Sequence, residues 1–214
     1  NVLTTIMQSM FILAMISVEF IVIGYTMAFG PDVNGFIGDF SKVGLTSIGM
    51  KILEGGTIPE LAFVAFQCMF AALTPALITG AFAERMKFKA FAILMLLWAV
   101  LIYNPMAHWV WGGGFLAELG ALDFAGGLVI HILSGVSGLT LCILLGKRSG
   151  YGRTAMLPHN LPMTVLGASI LWFGWFGFNA GSALGANALA ANAFVVSQAA
   201  AAAATVSWVL LEWK

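Results

Sequence analysis

The sequence predicts an all-α fold, a polytopic bundle of transmembrane helices, on three observations. Hydrophobic residues make up 61% of the 214 residues and charged residues only 8%, against roughly a quarter charged in a soluble domain. The mean hydropathy of +0.99 leaves too little polar surface to cover a water-soluble globule. The charges also collect between apolar runs of about 20 residues, the length that crosses a bilayer. These numbers exclude a disordered chain, a nucleic-acid binder and a secreted disulfide scaffold. The net charge of zero says nothing about partners.

Residues 1–214 read as a single transmembrane domain with six spans. Val2–Phe29 is interrupted only by Glu19, which at that depth must pair, be protonated or face a cavity. The favoured reading is a neutral, hydrogen-bonded Glu at a helix or subunit contact; the alternative is a proton pathway. A polar stretch from Pro31 to Glu60 precedes the second span, Leu61–Ala83, which ends at Glu84-Arg85. The third runs from Ala90 to Asn104, where Pro105 disfavours helix in the residue before it. His108 to Gly114 then reads as irregular backbone. Phe124–Gly146 is the fourth span, with Asp123 placed to cap it, and Gly126 and Gly127 read as a close helix contact. The fifth, Asn160–Ser182, has Asn160 as its N-cap, and the sixth is Leu189–Leu211. Cys68 and Cys142 lie in apolar runs and predict no disulfide. The opening Asn1, the lack of a signal peptide and the apolar ends suggest part of a longer protein.

Alternate assignment of the loops gives one side Arg85, Lys87, Lys89, Lys147, Arg148, Arg153 and Lys214, and the other Lys42 and Lys51. The positive-inside rule then places Asn1 and Lys214 in the cytoplasm, and the protein is expected in the cytoplasmic (inner) membrane. Phe66, Phe70, Trp111, Phe178 and Ser182 fall toward the outer half. His131 follows Asp123 by eight residues, about 12 Å deeper along a continuous helix. Aromatic faces attract a desolvated cation by about 2 kcal/mol, a hydroxyl accepts a hydrogen bond and an imidazole relays a proton. The arrangement suits a small, weakly hydrated cation. Trp109 reads as a belt residue, and His108 and His159 as satisfied surface imidazoles. No nucleophile–base pair or metal-ligand spacing is present among three scattered His, so neither an enzyme, a cofactor nor a metal site is expected.

At these residues the chain resembles the ammonium transporter (Amt/Mep/Rh) family, in its bacterial form. Asp123-Phe-Ala-Gly-Gly-Leu-Val-Ile-His131 is similar to its signature. Ala83-Glu-Arg85, Pro105 to Gly114, Gly146-Lys-Arg148, Pro158 to Pro162 and Gly174 to Ser182 match in family order. The resemblance implies eleven helices around a pseudo-twofold inverted repeat, of which this chain looks like the second to seventh, and a homotrimer with one pore per subunit. It implies that Phe70, Trp111 and Ser182 recruit ammonium with Phe66 beside them, and that Phe70 and Phe178 form a gate. Trp175 would line the pore, Asp123 would order the site from behind, and His131 would be the first of two pore histidines, the second lying beyond Lys214. The implied function is selective passage of ammonium or ammonia, with methylammonium as analogue, through a lipid membrane. A PII-type signalling protein is the implied cytoplasmic partner, and nucleic acid is not. The alternative is an ammonium sensor whose membrane part drives a C-terminal signalling domain.

Overall fold

The computed structural model describes residues 2–213. Among them, six helices are long and apolar enough to cross a membrane: Val2–Phe29, Glu60–Phe82, Phe88–Glu118, Gly127–Leu145, Leu161–Gly181 and Ala188–Glu212. The chain, read above as one domain, divides into two compact units. The first runs to Leu53 and resumes from Pro59 to Tyr151; the second takes Glu54–Ile58 and everything from Gly152 onward.

In the first unit, α1 (Val2–Glu19) passes through a wide π turn, Phe20–Gly24, into α2 (Tyr25–Phe29). The polar stretch that follows folds a short antiparallel pair, β1 (Asp32–Val33) and β2 (Ile37–Gly38), with Asp32 opposite Gly38. The Asp32 carboxylate accepts from the Gly35 amide and so braces the turn. Next come α3 (Glu60–Ala76), which ends just past Pro75, and α4 (Thr79–Phe82). The third span is α5 (Phe88–Trp98), a second π turn at Ala99–Tyr103, α6 (Asn104–Trp111) and α7 (Phe115–Glu118). The fourth is a third π turn, Gly127–Ile132, and α8 (Leu133–Leu145). Helix α1 packs on α3 and α5, α2 on α6, and α4 on α8. Ile12, Ile16, Phe20, Phe82, Phe91, Met95 and Tyr103 are buried between them.

The sequence expectation fails at Asn104–Pro105. The helix does not stop there; Asn104 keeps helical angles and the chain stays helical to Trp111. Proline ordinarily breaks a helix because its ring meets the carbonyl four residues back and its amide is missing. Here the π turn immediately before it widens the backbone, and Pro105 sits in the first turn of a fresh α segment, where no amide is needed. His108 to Trp111 is therefore helical rather than irregular. Irregular backbone begins at Gly112, where a Cβ would stand 2.0 Å from Ala28 O, so only glycine lets α6 end against α2.

Two arginines tie the far end of this unit to backbone. Arg85 donates to Ala81 O and Gly146 O, and Arg148 to Ala83 O and Gly80 O. These are carbonyls at helix ends that lack intrahelical donors.

In the second unit, α9 (Leu161–Gly181) begins at Asn160, whose side chain accepts from Met163 N at 3.0 Å. Helix α10 (Ala188–Glu212) begins at Asn187 in the same way. The two pack through stacked Phe176 and Phe194, 4.1 Å between centroids, and through Asn179 Nδ2 donating to Ser197 Oγ. Thr57 Oγ1 donates to Leu184 O and pins the turn between them.

Candidate functional site

Helix α6 is aimed by a buried histidine. His108 is fully buried, with Nδ1 3.0 Å from Ala28 O and Nε2 2.8 Å from Asp32 Oδ1. One ring nitrogen thus faces a backbone carbonyl of α2 and the other a carboxylate of the hairpin. This corrects the reading of His108 as a surface imidazole. The imidazole N–H and the Gly35 amide beside Asp32 hold its carboxyl below the ordinary carboxylate value. Helix α6 is thus fastened to α2 and to the hairpin one turn before Trp111. Trp109, read as a belt residue, donates instead to Phe36 O and packs on Phe115.

Three of the expected site aromatics meet in this unit. Phe66 and Phe70, one turn apart on α3, lie 4.5 Å centroid to centroid. Phe70 lies 5.9 Å from Trp111 across to α6. Phe70 is buried, while Phe66 and Trp111 are half-buried, so the stack presents a partly open aromatic face. The Trp111 indole N–H donates to Asp123 O at 2.8 Å, which fixes the ring plane.

Asp123 is the organiser. Its Oδ1 accepts from Gly126 N and Gly127 N at 2.6 and 2.8 Å, and its Oδ2 from Leu128 N and Val129 N at 2.8 and 2.9 Å. Four amides of a helix start are satisfied by one carboxylate. Both oxygens are thereby committed to backbone amides. Gly126 takes φ +97°, and a Cβ there would stand 2.4 Å from Ile130 Cδ1. Gly127 has open space where a Cβ would be, so among the described residues neither glycine makes a close contact with another helix; Gly126 serves the turn.

His131 lies in the π turn that Asp123 starts, its amide bonded to Gly126 O. The helix begins at Gly127 rather than Phe124, because the Asp123 carboxylate caps the amides of residues 126–129 across an intervening bend. His131 is therefore four residues past the first helical residue, Gly127, about 6 Å of rise from it, and the eight residues from Asp123 are not one continuous helix.

In the second unit, Trp175 and Phe178 stack at 4.7 Å with planes 11° apart. Trp175 borders a cavity of about 360 Å³ between α9 and α10, shared with Trp172, Phe176, Asn179 and Ser197. Ser182 closes α9 and its hydroxyl donates to Phe178 O at 2.8 Å, which leaves the oxygen lone pairs as acceptors.

Sequence reasoning missed His108 with Asp32, and the partner of Glu19, which is Asn104 on α6. A buried His and Asn inside one apolar run were the available signals. Among the described residues no cluster of His, Cys, Asp and Glu could hold a metal ion.

The whole chain, residues 1–214, matches the model of the Ammonium Transporter Family. It is 52% identical to an ammonium transporter of Bacillus subtilis over 214 residues, all of this chain and 52% of that protein. It is 47% identical to the ammonium transporter Amt1 of Archaeoglobus fulgidus over 89% of this chain and 46% of that one. The crystal structure of Candida albicans Mep2 superimposes with a TM-score of 0.87 at 33% identity, over 95% of this chain and 46% of that one. A sensor Amt protein superimposes at 0.90 and 30% identity, over 99% of this chain and 54% of that one. The chain spans about half the length of the curated relatives it matches. Six apolar helices and these matches agree: the chain is a multi-pass membrane protein and belongs to the ammonium transporter family.

Proposed function

We propose that the protein containing this chain conducts ammonium selectively across the cytoplasmic membrane. The observation that carries the reading is the Phe66–Phe70–Trp111 stack with Trp111 tied to Asp123, because a held, partly open aromatic face is what a small desolvated cation needs. In this reading the cation is recruited at Phe70 and Trp111 with Phe66 beside them. Ser182 contributes a hydroxyl acceptor, on the strength of the sequence resemblance. Asp123 shapes the site without touching the ion, since its carboxylate is filled by backbone amides. Phe70 and Phe178 act as the gate, ammonium gives up a proton, and ammonia passes Trp175 and His131. The loops bearing Arg85–Lys89 and Lys147–Arg153 face the cytoplasm, where a PII-type regulator docks on a homotrimer.

The test is an ammonium concentration jump on proteoliposomes of the full-length protein, recorded on a solid-supported membrane, with an internal pH dye. A saturable current absent with potassium, and lost in Trp111→Leu and His131→Ala, is the expected result. Unchanged current and unchanged ammonium-over-potassium preference in both variants would sink the site assignment. The superposition on a sensor Amt protein favours one second reading: ammonium binding drives a conformational signal. Calorimetric ammonium binding with neither current nor internal pH change would select it.

A further inference from the structure

Glu19 is 7% exposed and Asn104 is fully buried. They meet where two helices open into wide turns: Glu19 is the residue before Phe20–Gly24, and Asn104 the residue after Ala99–Tyr103. Wide turns of this kind gather at functional sites. Asn104 Nδ2 donates to Glu19 Oε1 at 2.7 Å. Glu19 Oε2 and Asn104 Oδ1, both acceptors, are buried with no hydrogen-bond partner. The two side chains crowd the bare Cα of Gly24, where a Cβ would stand 3.1 Å from Asn104 Oδ1 and from Glu19 Oε1. Glu19 lies ten residues inside the Phe29 end of its span, about 15 Å along the helix and near mid-bilayer.

An ionised carboxylate there faces an amide oxygen with no donor between them, which is costly in an apolar interior. A single proton on Oε2, donated to Asn104 Oδ1, closes a cyclic acid–amide pair and satisfies both atoms at once. The titratable groups around Glu19 are the Cys68 thiol on α3 and the Tyr103 phenol in the wide turn. Tyr103 is hydrogen-bonded to Thr74 and lies within electrostatic reach of both Glu19 and Asp123. Thr74 Oγ1 in turn donates to Phe70 O at 2.6 Å.

We propose that Glu19 and Asn104 form a membrane-buried binding site for one exchangeable proton, the proton that ammonium gives up on its way through. This rests on the transport reading above. In the step, one N–H bond of ammonium breaks and ammonia moves on. Glu19 gains that proton as a new O–H bond at Oε2 and later releases it, with no change of oxidation state.

The test uses the full-length protein in vesicles, with infrared spectra of the carboxylic-acid C=O band in light and heavy water at neutral pH, and ammonium-jump currents. A band that shifts in heavy water, disappears in Glu19→Gln and moves in Asn104→Leu is expected. Glu19→Gln keeps the volume and the amide contact, and is expected to lower the current about a hundredfold, the low end for a lost proton-transfer group, with methylammonium binding unchanged. A spectrum that Glu19→Gln leaves unaltered overturns the proton site. A lost band with wild-type current overturns its link to transport. A wild-type protein with the band but no ammonium current overturns the transport reading and leaves the proton site standing.

Discussion

Residue 123 serves two neighbours at once: its carbonyl holds the Trp111 indole and its carboxylate gathers four amides ahead of His131. Asp123→Ala is expected to cost about 2 kcal/mol, the loss of a helix-start acceptor with buried donors left open. It is also expected to raise the ammonium concentration for half-maximal current, because the backbone that presents the residue-123 carbonyl to Trp111 loses the carboxylate bracing it. Thermal unfolding in detergent and the current titration check the two effects; unchanged half-saturation would detach Asp123 from the site. The sequence places Asp123 at a helix start and groups it with Trp111 by resemblance. It could not show the indole-to-carbonyl bond, since a backbone acceptor leaves no side-chain signal. The partner of Glu19 was equally hidden, because Asn104 looked like the end of a helix.

At the scale of elements, the apolar runs and the Asn160 cap were legible because length, hydropathy and capping chemistry are local. The π turns were not: they come from how one helix packs on another, and a 3.6-residue pattern does not reveal them. That is why Pro105 read as a stop and His108 as a surface residue. The join between the hairpin and α6 carries a pH signature. The carboxyl of Asp32 titrates below its ordinary value of 3.8 because His108 and Gly35 donate to its charged form. The group's folded value is depressed, so its stabilising share is fully present above that ordinary value and is lost as pH falls through the depressed one. Melting temperature is expected to hold from neutral pH down to about 4 and to fall further in acid, by a step that Asp32→Asn lacks. The variant is expected to melt lower at neutral pH. An identical acid profile in both proteins would remove His108–Asp32 as the fastening of α6.

For the molecule as a whole, the uneven distribution of Lys and Arg yields an orientation that residue chemistry alone can test. With Cys68 and Cys142 replaced by Ala, Lys51→Cys is expected to react with an impermeant maleimide on intact cells, and Lys89→Cys only after permeabilisation. The opposite pattern would invert the protein. The division into two compact units was not legible, because both are built from the same apolar residues and differ only in which helices pack together. The three wide turns among the described residues all fall in one unit, one just ahead of α2, one just ahead of Asn104 and one containing His131. Each accommodates one more residue than a regular turn, and one residue of an α-helix is about 100° of rotation. Chain length at these turns, rather than side-chain chemistry, therefore decides which way everything beyond them points. A single-residue deletion would swing the far half of a helix by a quarter-turn while leaving every other amino acid in the protein as it was.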